Sequence, residues 1–115
     1  FGGNPLACTA AITTLDIIEE ENLMGNALEQ GNFIRKSLLK KLGNLSHVNQ
    51  IRGHGLMIGI ELTRPCGELV TKALEQGLLL NVTSDKVVRL LPPLVIKQSE
   101  SEQIIDMVST LIEEF

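Results

Sequence analysis

Arg89 is the residue whose type and position point most clearly to chemistry. It lies in KVVRLLPP, a pattern typical of an apolar strand that ends at Pro92-Pro93, since prolines cannot continue a hydrogen-bonded ladder. By strand alternation it shares a face with Val87 and Leu91, so its guanidinium is expected among aliphatic side chains and needs a partner. A guanidinium can bind a carboxylate through two parallel hydrogen bonds. Two interpretations stay open: a carboxylate-binding arginine, or an arginine that reaches solvent or pairs with an internal glutamate.

The other reactive side chains form no recognisable catalytic or metal-binding motif. Gly53-His54-Gly55 resembles a phosphate-binding loop only superficially, because it lies between strands and opens no helix. A structural role is favoured for Arg52, just before that loop, and no catalytic role is assigned to either histidine. Cys8 and Cys66 are far apart in the sequence, and we expect two buried, reduced thiols rather than a disulfide.

Composition limits the classes of partner. The chain has 115 residues, enough for one domain, and its three Phe with no Tyr or Trp predict an aliphatic core. The few aromatics and the net charge of -4 argue against a nucleic-acid partner, which would need stacking platforms or a basic face. No apolar run reaches the roughly 20 residues of a membrane span, so no membrane partner is expected.

Apolar residues recur at helical spacing in four segments, and shorter β-prone runs lie between them. The predicted helices cover 5–20, 23–42, 68–76 and a last segment capped by Ser99 or Ser101. The predicted strands cover 48–52, 56–62, 78–82 and 86–91. The first helix begins at Asn4-Pro5 and is expected to be well buried because it is so apolar. For 48–62 the alternative to two short strands is one strand with a bulge or kink that a glycine such as Gly59 allows.

This order of elements predicts an α+β fold. Strands that are few and joined by short turns or one helix favour a small, mostly antiparallel sheet of three or four strands, covered by helices on one face. Phe1 is not an initiator methionine, so we expect the chain to be part of a longer protein.

Three motifs in this order resemble the C-terminal part of the class III aminotransferases, which depend on pyridoxal phosphate. They are FGGNPLACTAA (1–11), IRGHGLMIGIEL (51–62) and LLLNVTSDKVVRLLPPL (78–94). The stretch 64–83 looks most like the members of the family that act on acetylornithine. The resemblance implies that residues 1–115 are the C-terminal small domain, with 1–21 the helix connecting it to a large domain.

The implied reaction is transfer of the terminal amino group of N2-acetylornithine to 2-oxoglutarate in arginine biosynthesis. The resemblance further implies a cytoplasmic homodimer that acts on amino-acid and 2-oxo-acid substrates. The cofactor, pyridoxal 5'-phosphate, forms a Schiff base with a lysine of the large domain, so this chain alone is expected to be inactive. Arg89 matches the family's arginine that binds the substrate α-carboxylate. Phe1, Gly2, Gly3 and Asn4 match a segment near the partner subunit's cofactor and could contribute backbone groups there.

Two alternatives to the acetylornithine assignment remain. The first is another class III aminotransferase, acting on succinylornithine, ornithine, succinyldiaminopimelate or 4-aminobutyrate. The second is a non-enzymatic module that binds a carboxylate through Arg89 or serves only in dimerisation.

Overall fold

The computed structural model describes all 115 residues and contains four helices and four strands. The helices are α1 (Pro5–Glu20), α2 (Leu23–Leu42), α3 (Glu68–Glu75) and α4 (Gln98–Glu113). The strands are β1 (Val48–His54), β2 (Met57–Leu62), β3 (Asn81–Thr83) and β4 (Val87–Leu90). No helix is long and apolar enough to cross a bilayer.

The four strands form one antiparallel sheet in the order β1-β2-β4-β3. β1 and β2 are joined by a tight turn at Gly55-Leu56, where Gly55 has φ +52°. Such a φ is strained for residues with a Cβ, which explains the glycine in this turn. The predicted α+β fold with a small antiparallel sheet is confirmed.

The core is aliphatic, as the composition predicts. One face of β2 and β4 is buried against α2 and α4, while the opposite face is open to solvent. The buried side chains of that sheet face are Ile58, Ile60, Leu62, Val88 and Leu90. The facing helices contribute chiefly Ile34, Leu38, Leu42, Ile105, Val108 and Ile112.

The prediction that α1 is well buried is wrong. None of its residues is buried, and Leu6, Ile12 and Leu15 remain 82%, 61% and 63% exposed. α1 contacts only α2 among the other elements. Its apolar composition is therefore not matched by a second surface within this chain.

Several boundaries differ from the prediction. β3 is shorter than 78–82, and Gly59 causes no bulge, since the irregularity lies between Val48 and Gln50. α4 begins one residue before Ser99, where the backbone N–H of Lys97 donates to the Glu100 carboxylate at 3.0 Å. Ser101 is not a cap: it is fully buried, and its hydroxyl donates to Gln30 Oε1 at 2.8 Å.

Asn26 attaches the segment after β4 to α2. Its side-chain amide donates to the carbonyl oxygens of Leu94 and Ile96, at 2.7 and 3.0 Å. This segment follows Pro92-Pro93 directly, so the chain beyond the strand of Arg89 is held against a helix of the core.

Candidate functional site

A groove of about 290 Å³ lies on the open face of the sheet. Its walls come from β1, β2 and β4 and from the end of β3. The residues that line it are Arg52, Gly53, His54, Met57, Ile58, Gly59, Thr83, Val87 and Arg89. All four strands therefore contribute to one concave surface that contains two arginines.

The sheet register places those two arginines on either side of a glycine. Gly59 is paired with Arg52 on one side and with Arg89 on the other. Directly paired residues of antiparallel strands point to the same face, so Arg52 and Arg89 both rise from the open face. Gly59 adds no side chain between them, and a Cβ there would lie only 3.3 Å from Val87 Cγ1.

Arg89 is exposed, and its guanidinium forms no hydrogen bond or ion pair within this chain. Its neighbours Val88 and Leu90 are buried at 0% and 4% exposure, whereas Leu91 is 63% exposed. The alternation predicted for this strand is therefore present. The expected enclosure among aliphatic side chains is not, because the face that Arg89 shares with Val87 and Leu91 is the open one.

Arg52, by contrast, is engaged in an ion pair. Its Nη1 lies 2.6 Å from Glu61 Oε2 and also donates to Gln50 Oε1 at 3.1 Å. Asn49 donates to the other oxygen of Glu61 at 3.0 Å. The hydrogen bond from Arg52, followed by that from Asn49, lowers the pKa of Glu61 below its ordinary value of 4.5. Glu61 is therefore ionised throughout the neutral range.

The sequence did not reveal the Arg52–Glu61 pair. The two residues are nine positions apart, and their contact depends on the register across the Gly55-Leu56 turn. That turn was recognisable from its glycines, so pairing outward from it would have brought the two side chains to the same face.

The two histidines and the two cysteines are separated from each other. His54 lines the groove, whereas His47 Nε2 lies 2.6 Å from the Ile112 carbonyl oxygen at the end of α4. Both cysteines are free, but Cys8 is exposed, which corrects the expectation that both are buried. Burial raises the pKa of the Cys66 thiol above its ordinary value of 9.0.

Phe1, Gly2, Gly3 and Asn4 are exposed and do not line the groove. The Asn4 side chain accepts a hydrogen bond from Ala7 N at 2.9 Å and donates one to the Phe1 carbonyl oxygen at 2.9 Å. The cap predicted for α1 is therefore present. Within this chain, the N-terminal segment and Arg89 do not form one site.

The residues of this groove do not by themselves form a pyridoxal-phosphate site. A Schiff base needs a lysine, and no lysine lines the groove around Arg89. The chain also has no cluster of His, Cys, Asp and Glu that could hold a metal ion. What the groove offers chemically is an uncommitted guanidinium beside open space, which suits a carboxylate ligand.

Comparison with known proteins places this arrangement in a family. The model of the class-III aminotransferases matches residues 1–112. The chain is 57% identical to acetylornithine aminotransferase of Nitrosomonas europaea, over 97% of this chain and 28% of that protein. It is 50% identical to acetylornithine aminotransferase 1 of Bordetella parapertussis, over 100% of this chain and 29% of that protein. The chain thus spans less than a third of the length of these relatives.

Solved structures agree with this comparison. The acetylornithine aminotransferase of Elizabethkingia anophelis superposes with a TM-score of 0.93 and 32% identity, over 100% of this chain and 31% of that one. The ornithine aminotransferase of Toxoplasma gondii superposes with a TM-score of 0.91 and 32% identity, over 99% of this chain and 29% of that one. The family match over nearly the whole length, with the shared fold, means that the chain belongs to the class-III aminotransferases.

Proposed function

We propose that this chain is the small domain of a pyridoxal-phosphate-dependent aminotransferase that transfers the terminal amino group of N2-acetylornithine to 2-oxoglutarate. Arg89 binds the α-carboxylate of the substrate. The observation that carries the proposal is the unpaired Arg89 guanidinium at an open groove, in a chain 57% identical to an acetylornithine aminotransferase.

The surroundings of Arg89 suit this role. Its backbone is fixed by pairing with Gly59 on one side and Asn81 on the other, so its side chain starts from a rigid position. The buried neighbours Val88 and Leu90 anchor the strand in the core. A bidentate hydrogen-bonded anchor on a rigid element can orient an amino acid or oxo acid and reduce the entropic cost of reaching a reactive geometry.

The rest of the active site lies outside this chain in the proposal. Pyridoxal phosphate, where bound, supplies the group that accepts and returns the amino group, and its lysine comes from the large domain. Residues 1–21 connect that domain to this one. The absence of a lysine from the groove supports this division, and the 115-residue chain is expected to have no transaminase activity alone.

The complete protein is proposed to be a cytoplasmic homodimer, with Phe1 to Asn4 near the partner subunit's cofactor. The exposed apolar side chains of α1 support a further contact surface at this end of the chain. The molar mass of the complete protein, measured by light scattering, tests the dimer, and a monomeric mass would contradict it.

Arg89→Ala in the complete protein tests the carboxylate role. Loss of a charge-assisted bidentate contact is expected to raise the KM for 2-oxoglutarate about 10- to 100-fold. Arg89→Lys should recover only part of this loss, because an ammonium lacks the planar fork.

Arg64→Ala is the matched control. The Arg64 guanidinium stacks 3.5 Å from the centre of the Phe115 ring, and Arg64 does not line the groove. Its removal should leave the KM for 2-oxoglutarate at the wild-type value. An Arg89→Ala protein that binds 2-oxoglutarate and glutamate as tightly as the wild type would refute the carboxylate role.

The second candidate is ornithine as the amino donor. Its support is the similarity of this fold to ornithine aminotransferases, such as that of Toxoplasma gondii at a TM-score of 0.91. Comparing kcat/KM for N2-acetylornithine and ornithine separates the two, and at least a tenfold preference for the acetylated donor is expected. Succinylornithine, succinyldiaminopimelate and 4-aminobutyrate belong in the same panel. Absence of activity on every donor would instead favour a carboxylate-binding module.

A further inference from the structure

Glu61 is the acidic residue that the sheet register places nearest to Arg89 on the open face. Glu61 of β2 pairs directly with Val87 of β4. Arg89 lies two residues beyond Val87 on β4, so its side chain points to the same face of the sheet. Diagonal neighbours of this kind lie about 7–8 Å apart, within reach of long side chains. A free Glu61 carboxylate could therefore pair with Arg89 and compete with a carboxylate ligand.

In the structure, Glu61 is turned to the other side. Arg52 binds its Oε2 at 2.6 Å, and Asn49 binds its Oε1 at 3.0 Å. The hydrogen bond from Arg52 is charge-assisted, so it is stronger than the hydrogen bond from the neutral amide of Asn49. Both partners lie on β1, on the side of β2 away from β4.

The same contact also determines where the Arg52 side chain lies. Arg52 rises opposite Gly59, but its guanidinium reaches along the strands to Glu61 and Gln50. Only the stem of Arg52 remains near Gly59, where its Cγ and Val87 Cγ1 lie within 4.0 Å of where a Cβ would stand. One ion pair thus engages both the carboxylate nearest to Arg89 in the register and the guanidinium of Arg52.

We propose that Arg52 is a positioning residue that holds Glu61 on the β1 side and so keeps the Arg89 guanidinium free for the substrate carboxylate. The inference rests on the proposed role of Arg89 and assigns Arg52 no contact with substrate. It differs from a purely structural role, in which the pair would only stabilise the hairpin. It also differs from a field effect, in which Arg52 would attract anions through its charge.

A double-mutant cycle in the complete protein separates these roles. The cycle measures the KM for 2-oxoglutarate and the Kd for glutarate, an unreactive dicarboxylate, by calorimetry. Arg52→Ala leaves Glu61 with the hydrogen bond from Asn49 and the charge of nearby Lys86, so its carboxylate is expected to turn toward Arg89 for part of the time. A surface cross-strand pair of this kind should raise both the KM and the Kd about two- to fivefold. Arg52→Ala combined with Glu61→Gln removes the competitor as well, and the constants should return to within about 1.5-fold of wild type.

Whether the double variant recovers binding that Arg52→Ala loses distinguishes the three roles of Arg52. A field effect predicts that the double variant stays as weak as Arg52→Ala, and a hairpin-stabilising role predicts that neither variant changes binding. Either outcome would overturn the inference. Arg52→Lys can still pair with Glu61 and should bind glutarate close to the wild-type value.

Lys41→Ala is the matched control for loss of an exposed ion pair, since Lys41 Nζ lies 2.8 Å from Asp106 Oδ1 between α2 and α4, away from the groove. It should leave the Kd for glutarate unaltered. Failure of the inference is distinguishable from failure of the proposed function. If Arg89→Ala itself leaves binding unchanged, the carboxylate role falls, whereas if it weakens binding and Arg52→Ala does not, only the role of Arg52 falls.

Discussion

Gly31, in the middle of α2, allows the helix to pack directly against the backbone of the β1–β2 turn. A Cβ at this position would overlap the carbonyl oxygen of Gly55. Glycine costs a helix interior about 1 kcal/mol relative to alanine, so the residue is unfavourable for α2 considered alone. Glycine is needed here because it allows α2 to contact the turn that connects β1 and β2.

Gly31→Ala is therefore expected to reverse the usual sign of a glycine-to-alanine change in a helix. Overlap with backbone, which cannot rotate away, should lower the free energy of unfolding by about 1–3 kcal/mol. Urea denaturation followed by circular dichroism measures this quantity. Gly25→Ala in the same helix is the control. The three atoms nearest to its Cβ would all belong to the exposed Asn22 side chain, which can turn aside, so stability should be kept or increase.

At the scale of elements, α2 and α4 are joined by a buried polar contact as well as by apolar packing. Ser101 of α4 is 0% exposed and Gln30 of α2 is 5% exposed. The Ser101 hydroxyl donates to Gln30 Oε1 at 2.8 Å, and Gln30 Nε2 donates to Gln98 at 3.2 Å. A buried pair of this kind fixes the register of two helices, because any shift would leave polar atoms unpaired.

Ser101→Ala should lower the free energy of unfolding by about 1–2 kcal/mol, because Gln30 Oε1 would remain buried without its donor. Ser109→Ala is the matched control on the same helix. Ser109 is 3% exposed, and its hydroxyl forms no hydrogen bond. Its removal is expected to be neutral or stabilising. Equal losses for the two variants in urea denaturation would contradict a specific contribution from the Ser101–Gln30 contact.

At the scale of the whole molecule, the chain is more extended than a compact domain of its length. Its radius of gyration is 16.2 Å, compared with about 13 Å for a compact chain of 115 residues. The difference agrees with α1, which contacts only α2 and buries none of its own residues. α1 therefore presents apolar surface to solvent.

We expect the 115-residue chain alone to self-associate through α1, since exposed apolar patches favour association. Size-exclusion chromatography with light scattering should show a molar mass that rises with concentration. Leu6→Gln, Ile12→Gln and Leu15→Gln together should suppress this rise. The control is Leu39→Gln with Leu74→Gln, which removes two scattered side chains, each 58% exposed, and should leave association in place. A monomer at every concentration would count against this role of α1.

The sequence by itself determined what depends on neighbours within a few residues and on the order of motifs. The Asn4 cap, the end of α2 before Gly43 and the alternation around Arg89 follow from local backbone requirements, and the structure contains all three. The order of the three motifs was enough to indicate the family, and the few aromatics indicated an aliphatic core.

Only the tertiary structure decided which of these residues meet. Burial of α1 depends on a second surface, which its own apolar pattern cannot supply. The Arg52–Glu61 pair, the buried contact of Ser101 and the open face on which Arg89 stands depend on strand register and helix packing. Arg89 was recognisable from its strand, but its freedom from an internal partner was not, because that depends on which face of the sheet the helices cover.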